Sequence, residues 1–344
     1  MAEAMTILEI RNAVKAGMFP AELHAQIEGL KKKEGSNAKP FWEMKLRDSS
    51  GNLTLRVWSD SPNFRVCESL EESAAVGIEG EFFQNGQYGM DARRWEIRRL
   101  SPEEAEGLFA GSAADREEVE ANFLFIRSAA GQIADVRLKA LCERFLDAFG
   151  IRFCRAAAAR VNHHARRGGL IAHTAQMMRS ALAFAAVYPR LNRDLMVAGV
   201  LFHDCGKLWE TCPQEAGFSI EYDRRGELMG HISIGVEVVN SLWREVASEA
   251  WGAMRPPSDE VRLHLIHLVL AHHGELEFGS PIVPKTPEAI ALHYIDNLDA
   301  RLEMIWQGYE TNQEIAPGIH ERVRTLNASP VAALGRFEAG ALPD

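Results

Sequence analysis

The sequence lacks the features of a membrane or secreted protein. No apolar run approaches the roughly 20 residues that span a bilayer, and the opening MAEAMTILEI has neither a basic segment nor the long apolar core of a signal peptide. Five scattered cysteines form no C-x-x-C pair: Cys67, Cys142, Cys154, Cys205 and Cys212. An odd number of cysteines without a framework predicts reduced thiols and a cytoplasmic protein that has no membrane partner.

Acidic residues are missing from one stretch of a protein whose formal net charge is -10. The net charge argues against a nucleic-acid partner, but residues 148–193 contain eight arginines and no Asp or Glu. An arginine zone of this kind is a candidate surface for phosphate groups, and it makes Arg166 and Arg167 candidate nucleic-acid contacts. A row of solvated helix positions explains the same pattern, so both interpretations stay open.

The 344 residues are enough for two domains. We predict an α+β multidomain chain, with β structure at residues 16–100, a helical connector at 101–150, an almost wholly helical domain at 151–326 and a peripheral tail at 327–344. Strands are expected where apolar and polar residues alternate, at residues 41–47, 53–59, 76–83 and 88–98. Several short strands in about 80 residues indicate a small barrel or a sandwich.

One face of the first predicted hairpin combines aromatic and basic side chains. With a period of two, this face carries Phe41, Lys45 and Arg47 on one strand and Arg56 and Trp58 on the other. Aromatic rings interleaved with cations suit the stacking of bases and contact with phosphates. A half-solvated sheet whose aromatics pack on the neighbouring domain is the alternative, and the pattern does not separate the two.

Histidine is nearly absent from the first half of the chain. Only His24 precedes residue 163, and the other eleven histidines lie between residues 163 and 320, inside the predicted helical domain. Neutral imidazoles and ionised carboxylates are the natural ligands of borderline divalent ions. Histidines concentrated among helices therefore predict a metal site.

The central motif is His203-Asp204, which follows an apolar helical segment and precedes Gly206 and Lys207. Adjacent helical positions point about 100° apart, so the two side chains suit different coordination directions, and the carboxylate can bridge two ions. Gly206 lets the chain turn, and Lys207 can reach a substrate phosphate. A lone His-Asp pair would more often be structural, but here further candidate ligands accompany it.

These residues resemble the HD superfamily of metal-dependent phosphohydrolases, whose pattern is a first His, a His-Asp pair and a distal Asp. The first His is His173 in Gly168-Gly-Leu-Ile-Ala-His173, and the distal Asp is Asp296 in His293-Tyr-Ile-Asp296. The chain is more closely similar to the bacterial YhaM-type 3′–5′ exoribonucleases. That resemblance rests on Asn162-His-His-Ala165, on Gly230-His-Ile-Ser-Ile-Gly235 and on the run from Ala271 to Lys285, and it covers roughly residues 20–310.

The resemblance implies an OB-fold-like barrel followed by an all-α HD domain with two divalent ions. His173, His203, Asp204 and Asp296 would hold the first ion. Asp204 would bridge to a second ion, completed by His231, His272 and His273. Three alternatives stay open: His272 as the only ligand of its pair, Asp299 in place of Asp296, and His231 as a packed histidine after a glycine turn. His264 and His267 are expected to be ordinary helix positions. Manganese is the first expectation for the metal, with iron, cobalt, nickel and zinc also compatible.

The His-His position of the family falls on His163 and His164, and the resemblance gives His164 a substrate-facing role, with an ordinary structural role as the alternative. Arg166 stands where members of the family often carry a tyrosine. An arginine there would replace ring stacking with phosphate contact.

The favoured function is a two-metal 3′–5′ exoribonuclease acting on single-stranded RNA, with single-stranded DNA as a further substrate and a homo-oligomer left open. A hydroxide held between the ions would attack phosphorus, and Lys207 would stabilise the phosphoryl charge. Cys205 is not required as a nucleophile. Two alternatives are an HD hydrolase of a nucleoside triphosphate or signalling nucleotide, and a non-catalytic nucleic-acid-binding module. The predicted barrel favours a nucleic-acid strand over a mononucleotide as the substrate.

Overall fold

A computed structural model describes residues 4–35, 38–86, 89–158, 167–213, 217–218 and 223–335. The N-terminal part consists of helix α1 (Ile7–Ala13), strands β1 (Phe19–Glu34), β2 (Pro40–Arg47) and β3 (Asn52–Trp58), helix α2 (Asn63–Cys67), and strands β4 (Ala75–Asn85) and β5 (Gly89–Arg99). The five strands form one antiparallel sheet in the order β3-β2-β1-β4-β5. Because β3 and β5 also approach each other, the sheet curls into a small open barrel, as expected.

Strand β1 is the central strand of this barrel, and alternation alone did not reveal it. Its first half pairs with β4 and its second half with β2, with an irregularity between Ile27 and Gly29 where the partner changes. A bulge of this kind bends a strand and increases its twist. Alternating burial is limited to the middle of β1, around Leu23, Ala25 and Ile27, and the last four residues are exposed and charged.

The rest of the described chain is helical, as expected. The elements are α3 (Pro102–Ala110), α4 (Ala113–Gly131), α5 (Val136–Arg155), α6 (Gly169–Val187), α7 (Arg193–Phe202), α8 (Lys207–Glu210), α9 (Arg224–Val246), α10 (Ser258–Ala271), α11 (Pro287–Thr311), and the short strands β6 (Glu314–Ala316) and β7 (Ile319–His320). Side-chain caps at Ser101, Ser112 and Asp135 explain where α3, α4 and α5 begin.

One apolar core joins helices α4 to α11, and it includes the segment expected to be a connector. Ile126 of α4 and Leu141 and Phe145 of α5 are fully buried in the same cluster as Phe202 and Leu268. Helix α5 also runs through residue 150, where a domain boundary was expected. In packing, the connector is therefore part of the helical unit.

The barrel contacts the helical unit at a few defined points. The Gln26 side chain of β1 accepts a hydrogen bond from the backbone N–H of Phe218 at 2.8 Å, and the Phe218 ring lies 5.5 Å from that of Phe109 in α3. The five cysteines are all free. Among the described helices, none combines the length and the apolar character that crossing a bilayer requires.

Candidate metal centre

Five helices bring the predicted ligands to one place inside the helical unit. His173 lies on α6, Asp296 lies on α11, and His203-Asp204 directly follows α7, whose residues from Leu195 to Phe202 are all buried. His231 lies on α9, and His272-His273 directly follows α10. Because buried apolar faces anchor these helices, their polar ends and turns converge on a common point in the interior.

Two glycines let α9 approach the His203-Asp204 turn. Helix α9 is interrupted at Gly230, which has a φ of 68° and starts a new helical run at His231. On the other side, a Cβ atom at Gly206 would overlap the carbonyl oxygen of His231. Any larger residue at 206 would therefore move the His231 backbone away from Asp204.

One oxygen of Asp204 faces the ligands expected for the first ion. Its Oδ2 atom lies 3.3 Å from Nε2 of His203 and 3.9 Å from Nε2 of His173. His173 Nε2 in turn lies 3.3 Å from Asp296 Oδ1 and 3.3 Å from His203 Nε2. We call His173, His203, Asp204 and Asp296 the first ligand group. Lys207 Nζ also contacts Asp204 Oδ2, at 2.7 Å, from the rim of the site.

The other oxygen of Asp204 faces a second ligand group, which consists of His231, His272 and His273. Asp204 Oδ1 lies 3.6 Å from Nε2 of His231 and 3.7 Å from Nε2 of His272. Donor atoms of the three histidines lie within 4.8 Å of one another. The two oxygens of one carboxylate thus look toward two separate sets of imidazoles, which is the arrangement expected of a bridging ligand.

Each of the five histidines has its outer ring nitrogen held by an acceptor. The acceptors of Nδ1 are Asp299 Oδ2 for His173 at 2.7 Å, the Val200 carbonyl for His203 at 2.8 Å, Glu210 Oε2 for His231 at 2.7 Å, the Val269 carbonyl for His272 at 2.7 Å, and the Phe278 carbonyl for His273 at 2.8 Å. Because carbonyls and carboxylates only accept, Nδ1 carries a hydrogen and Nε2 turns inward to the site.

The unmet polar atoms at the centre fit a divalent cation. Among the described residues, Asp204 Oδ1, His231 Nε2 and His272 Nε2 are buried and have no hydrogen-bond partner, an arrangement that is costly unless a ligand satisfies it. Two ligands about 2.1 Å from one ion stand about 3.0–3.5 Å apart at ordinary coordination angles, close to the 3.3–3.9 Å separations between Asp204 and its neighbouring imidazoles. A donor set of imidazoles and carboxylates suits borderline divalent metals.

The electrostatics of the centre keep most ligands in their binding form. Burial opposes ionisation of Asp204 and Asp296, but nearby Lys207 and His203 hold the pKa of Asp204 well below its usual value, and His173 lowers that of Asp296. Burial lowers the pKa values of His272 and His273, which leaves both neutral.

His173 is the exception among the ligands. Burial disfavours its charged form, yet hydrogen bonds to Asp296 and Asp299 raise its pKa to about 9. A metal bound at neutral pH would therefore displace a proton from this ring.

The structure brings all seven predicted ligands together and assigns different surroundings to the alternatives. Asp299 contacts the outer nitrogen of His173, whereas Asp296 faces the inner one. His267 accepts a hydrogen bond from the Lys285 backbone at 2.9 Å, outside both ligand groups. The predicted substrate-facing residues His163, His164 and Arg166 lie outside the described residues.

Glu210 is a neighbour of the candidate ligands that the sequence did not reveal. It binds the outer nitrogen of His231, 21 residues away, across the break at Gly230. No local motif indicates this contact, because it depends on how α8 and α9 pack. Glu210 lies six residues after Asp204 in the sequence. That spacing would point to a contact near the site only if the turn at Gly206 were already known.

The predicted nucleic-acid face of the barrel is less open and less basic than expected. Phe41 is 8% exposed because the ring of its cross-strand partner Trp58 covers it, with centroids 4.7 Å apart. Glu43 shares this face and pairs with Lys33 at 2.8 Å. Phe41 therefore offers little open surface on which a base could stack.

The remaining predicted contacts have mixed surroundings. Trp58 is 36% exposed, Lys45 is exposed, and Arg56 is half-buried opposite Glu43. Arg47 pairs with Glu28 at 2.9 Å. Arg167 donates to the Gly217 carbonyl at 3.1 Å. The available stacking surface is thus the exposed part of Trp58, with Lys45 and Arg56 on the same face.

Comparison with known proteins places the helical unit in a family of metal-dependent enzymes. A family model of the HD domain, which implies divalent metal binding, matches residues 170–301, a range that includes all seven predicted ligands. Two curated relatives are each described as "3'-5' exoribonuclease YhaM". The relative from Bacillus velezensis is 30% identical over 295 residues, 85% of this chain and 87% of its own length. The relative from Bacillus licheniformis is 30% identical over 310 residues, 89% and 92% of the two chains.

Proposed function

This chain belongs to the YhaM family of HD-domain 3′–5′ exoribonucleases, and from that membership we propose that it shortens single-stranded RNA from the 3′ end by hydrolysing phosphodiester bonds at two divalent ions. The observation that carries the proposal is Asp204, whose two oxygens face two separate groups of inward-pointing imidazole nitrogens.

In this proposal His173, His203, Asp204 and Asp296 hold one ion, and Asp204, His231, His272 and His273 hold the other. Manganese is the metal that we propose first, and iron, cobalt, nickel and zinc suit the same donors. When bound, such ions supply water activation near neutral pH and neutralise charge on a phosphoryl group.

The protein's own groups complete the chemistry. Lys207 lies at the rim, 2.7 Å from Asp204, so that a small rotation of its flexible side chain would bring its ammonium to a phosphoryl oxygen. We propose that His164 faces the substrate, on the strength of the family motif. Cys205 is 1% exposed, and burial raises its pKa, which supports hydrolysis without a protein nucleophile.

We propose that Trp58, Lys45, Arg56 and Arg167, with Arg166, guide the strand toward the ions. The exposed Trp58 ring is braced by Phe41 beneath it, which makes a rigid platform for one base. Stacking and phosphate contacts do not read the 2′-hydroxyl, so single-stranded DNA is a second substrate in this proposal. The five free thiols support a cytoplasmic setting.

The test uses metal-free full-length protein, added Mn²⁺ and a 5′-labelled single-stranded RNA. We expect a ladder of products that shortens from the 3′ end and no reaction in the presence of a chelator. A circular RNA of the same sequence has no 3′ end and should resist degradation. Cleavage of the circle would contradict the exonucleolytic proposal. Hydrolysis of a nucleoside triphosphate with every RNA left intact would favour the small-nucleotide alternative, and binding without hydrolysis would favour the binding module.

A further inference from the structure

Glu210 holds His231 through two hydrogen bonds to one carboxylate oxygen. Glu210 Oε2 accepts from the His231 ring at Nδ1, 2.7 Å away, and from the His231 backbone N–H, 3.0 Å away. The break at Gly230 makes His231 the first residue of a helical run, so its backbone N–H has no carbonyl partner in the preceding turn. One side chain therefore sets both the position of this helix start and the orientation of its ring.

The other two histidines of the second ligand group are held differently. The Nδ1 atoms of His272 and His273 donate to the backbone carbonyls of Val269 and Phe278. Those contacts belong to the local turn at the end of α10 and need no other side chain. Glu210 is thus the only side chain among the described residues that is seen to orient a ligand of the second group.

The position of Glu210 is set by the packing of helix α8 against its neighbours. The guanidinium groups of Arg152 and Arg225 each lie over the neighbouring Trp209 ring, 5.1 Å from its centroid. These contacts fix α8 against α5 and α9. The carboxylate of Glu210 consequently reaches His231 from a supported position and not from a free surface side chain.

A corresponding carboxylate serves the first ligand group. Asp299 Oδ2 contacts Nδ1 of His173 at 2.7 Å, one turn beyond Asp296 on α11. In each group, therefore, one histidine donates its Nδ1 hydrogen to a carboxylate. The other histidines of the group donate theirs to backbone carbonyls. An anion behind an imidazole increases its strength as a ligand and fixes its tautomer.

We infer that Glu210 is a positioning residue that sets the affinity of the second metal ion through His231, while Asp299 does the same for the first ion through His173. The inference rests on the proposed two-ion function, because it assigns one carboxylate to each ion. It predicts that the two sites can be weakened one at a time.

The experiment measures Mn²⁺ binding to metal-free full-length protein by calorimetry and by the electron paramagnetic resonance of the bound ions. Glu210→Gln keeps the size of the side chain and removes its charge, and Asp299→Asn does so at the other site. Each variant should weaken one of two binding events about 10- to 100-fold and leave the other within about twofold. In Glu210→Gln, one equivalent of Mn²⁺ should give the signal of an isolated ion, where the parent protein at saturation gives a coupled pair.

Glu245→Gln is the matched control, because Glu245 also lies on α9 and pairs with an exposed arginine, Arg144, which takes no part in holding α8. It should leave both affinities unchanged. The double variant Glu210→Gln with Asp299→Asn should weaken both ions, each by the factor of its own single variant.

Three results would overturn the inference. The first is two unchanged affinities in Glu210→Gln, and the second is equal weakening of both ions. The third is a double variant in which only one ion is weakened, which would put both carboxylates at one site. Thermal unfolding of the metal-free variants checks the fold, and a large loss of Tm with both sites weakened would also count against positioning. Since Mn²⁺ binding is measured without RNA, failure of the exoribonuclease activity would be seen separately.

Discussion

The sheet face of the barrel and the interior of the helical unit hold their charged side chains in opposite settings. On the barrel face, Lys33 pairs with Glu43 and Arg47 with Glu28, and all four side chains keep 19–46% of their surface exposed. In the helical unit, the side chains of the candidate ligand Asp204 and of Arg137 are 4% exposed or less. Exposed pairs contribute about 0–1 kcal/mol each, whereas removing one partner of a buried pair costs about 3–5 kcal/mol.

This difference shows which charged residues can be assigned a role from the structure. A buried charge needs a partner that explains it, and at Asp204 the described residues leave one oxygen without such a partner. An exposed arginine or tryptophan on the barrel needs no further partner. The geometry of the candidate metal centre therefore supports its assignment. The proposed nucleic-acid face has no such unmet buried group to support it.

The largest expected effect is the loss of turnover in Asp204→Ala. Removing the carboxylate that joins the two ligand groups should lower kcat for a long RNA and for a dinucleotide alike, by about a thousandfold or more, because several kcal/mol of charge stabilisation depend on the ions. Rates measured on both substrates with Mn²⁺ present check this. Activity close to that of the parent protein would refute the site.

The second effect concerns stability, and it compares a buried pair with an exposed one. Arg137 has 0% exposure and donates to both oxygens of Asp135 and to the Pro256 carbonyl. We expect Asp135→Asn to lower the free energy of unfolding by about 3 kcal/mol. Glu81→Gln on the barrel, which breaks an exposed pair with Arg93, should cost less than about 1 kcal/mol. Urea unfolding measures both, and equal losses would contradict the comparison.

The same pair predicts a dependence of stability on pH. Burial opposes ionisation of Asp135, but hydrogen bonds from Arg137 hold its pKa below the usual value. A carboxyl group whose pKa is lowered by folding stabilises the protein above its unfolded pKa of about 4. That contribution should be lost as the pH falls below about 4 through the folded pKa, and Asp135→Asn should lack it. Unfolding curves collected between pH 3 and 7 for the two proteins provide the measurement.

A smaller effect is expected when Gly206 is replaced. The Cβ atom of Gly206→Ala would overlap the His231 carbonyl, and relief of such crowding costs about 1–3 kcal/mol. We expect a lower Tm together with weaker binding of one Mn²⁺ ion, because His231 must move away from Asp204. Gly252→Ala is the control, since a Cβ there meets nothing within 4 Å. A Gly206→Ala protein that binds two ions with parental affinity would show that the close approach is dispensable.

The smallest effect should come from the barrel and should depend on substrate length. Arg56→Ala combined with Trp58→Ala removes one stacking surface and one cation, and stacking contributes about 1–3 kcal/mol per base. KM for long RNA should rise at least about fivefold, while KM for a dinucleotide stays close to the parental value. Arg93→Ala, on another part of the barrel, controls for the loss of a positive charge. Equal effects on both substrates would remove the barrel from RNA binding.

Much of the fold could be predicted because the spacing of apolar residues and the composition change sharply along the chain. The expected strands correspond to β2, β3, β4 and β5, and the almost wholly helical character of the domain that follows was confirmed. Strand β1 was not named because its charged C-terminal half shows no alternation, and its role depends on pairing with two partners. A domain boundary was expected at residue 150, but no break in the helix occurs there, and α5 runs across it.

The ligand set was predictable because metal binding restricts residue types so strongly. His203-Asp204 and the family pattern led to all seven candidate ligands that the structure brings together. Glu210 and Asp299 were missed as supports because carboxylates on helices are common and their contacts are set by packing. Phe41 was expected to be open because alternation assigns a face but does not show that a cross-strand ring covers it.

The convergence of five helices on one point has a consequence for how the protein holds together. The predicted ligands span the chain from His173 to Asp296, and each belongs to an element with its own loops. Ions bound there would act as internal cross-links between distant parts of the chain, comparable in effect to a set of disulfides in a protein that has none. A bound ion at 100 times its Kd adds about 2.7 kcal/mol to stability. Supply of metal would then control the lifetime of the protein as well as its activity.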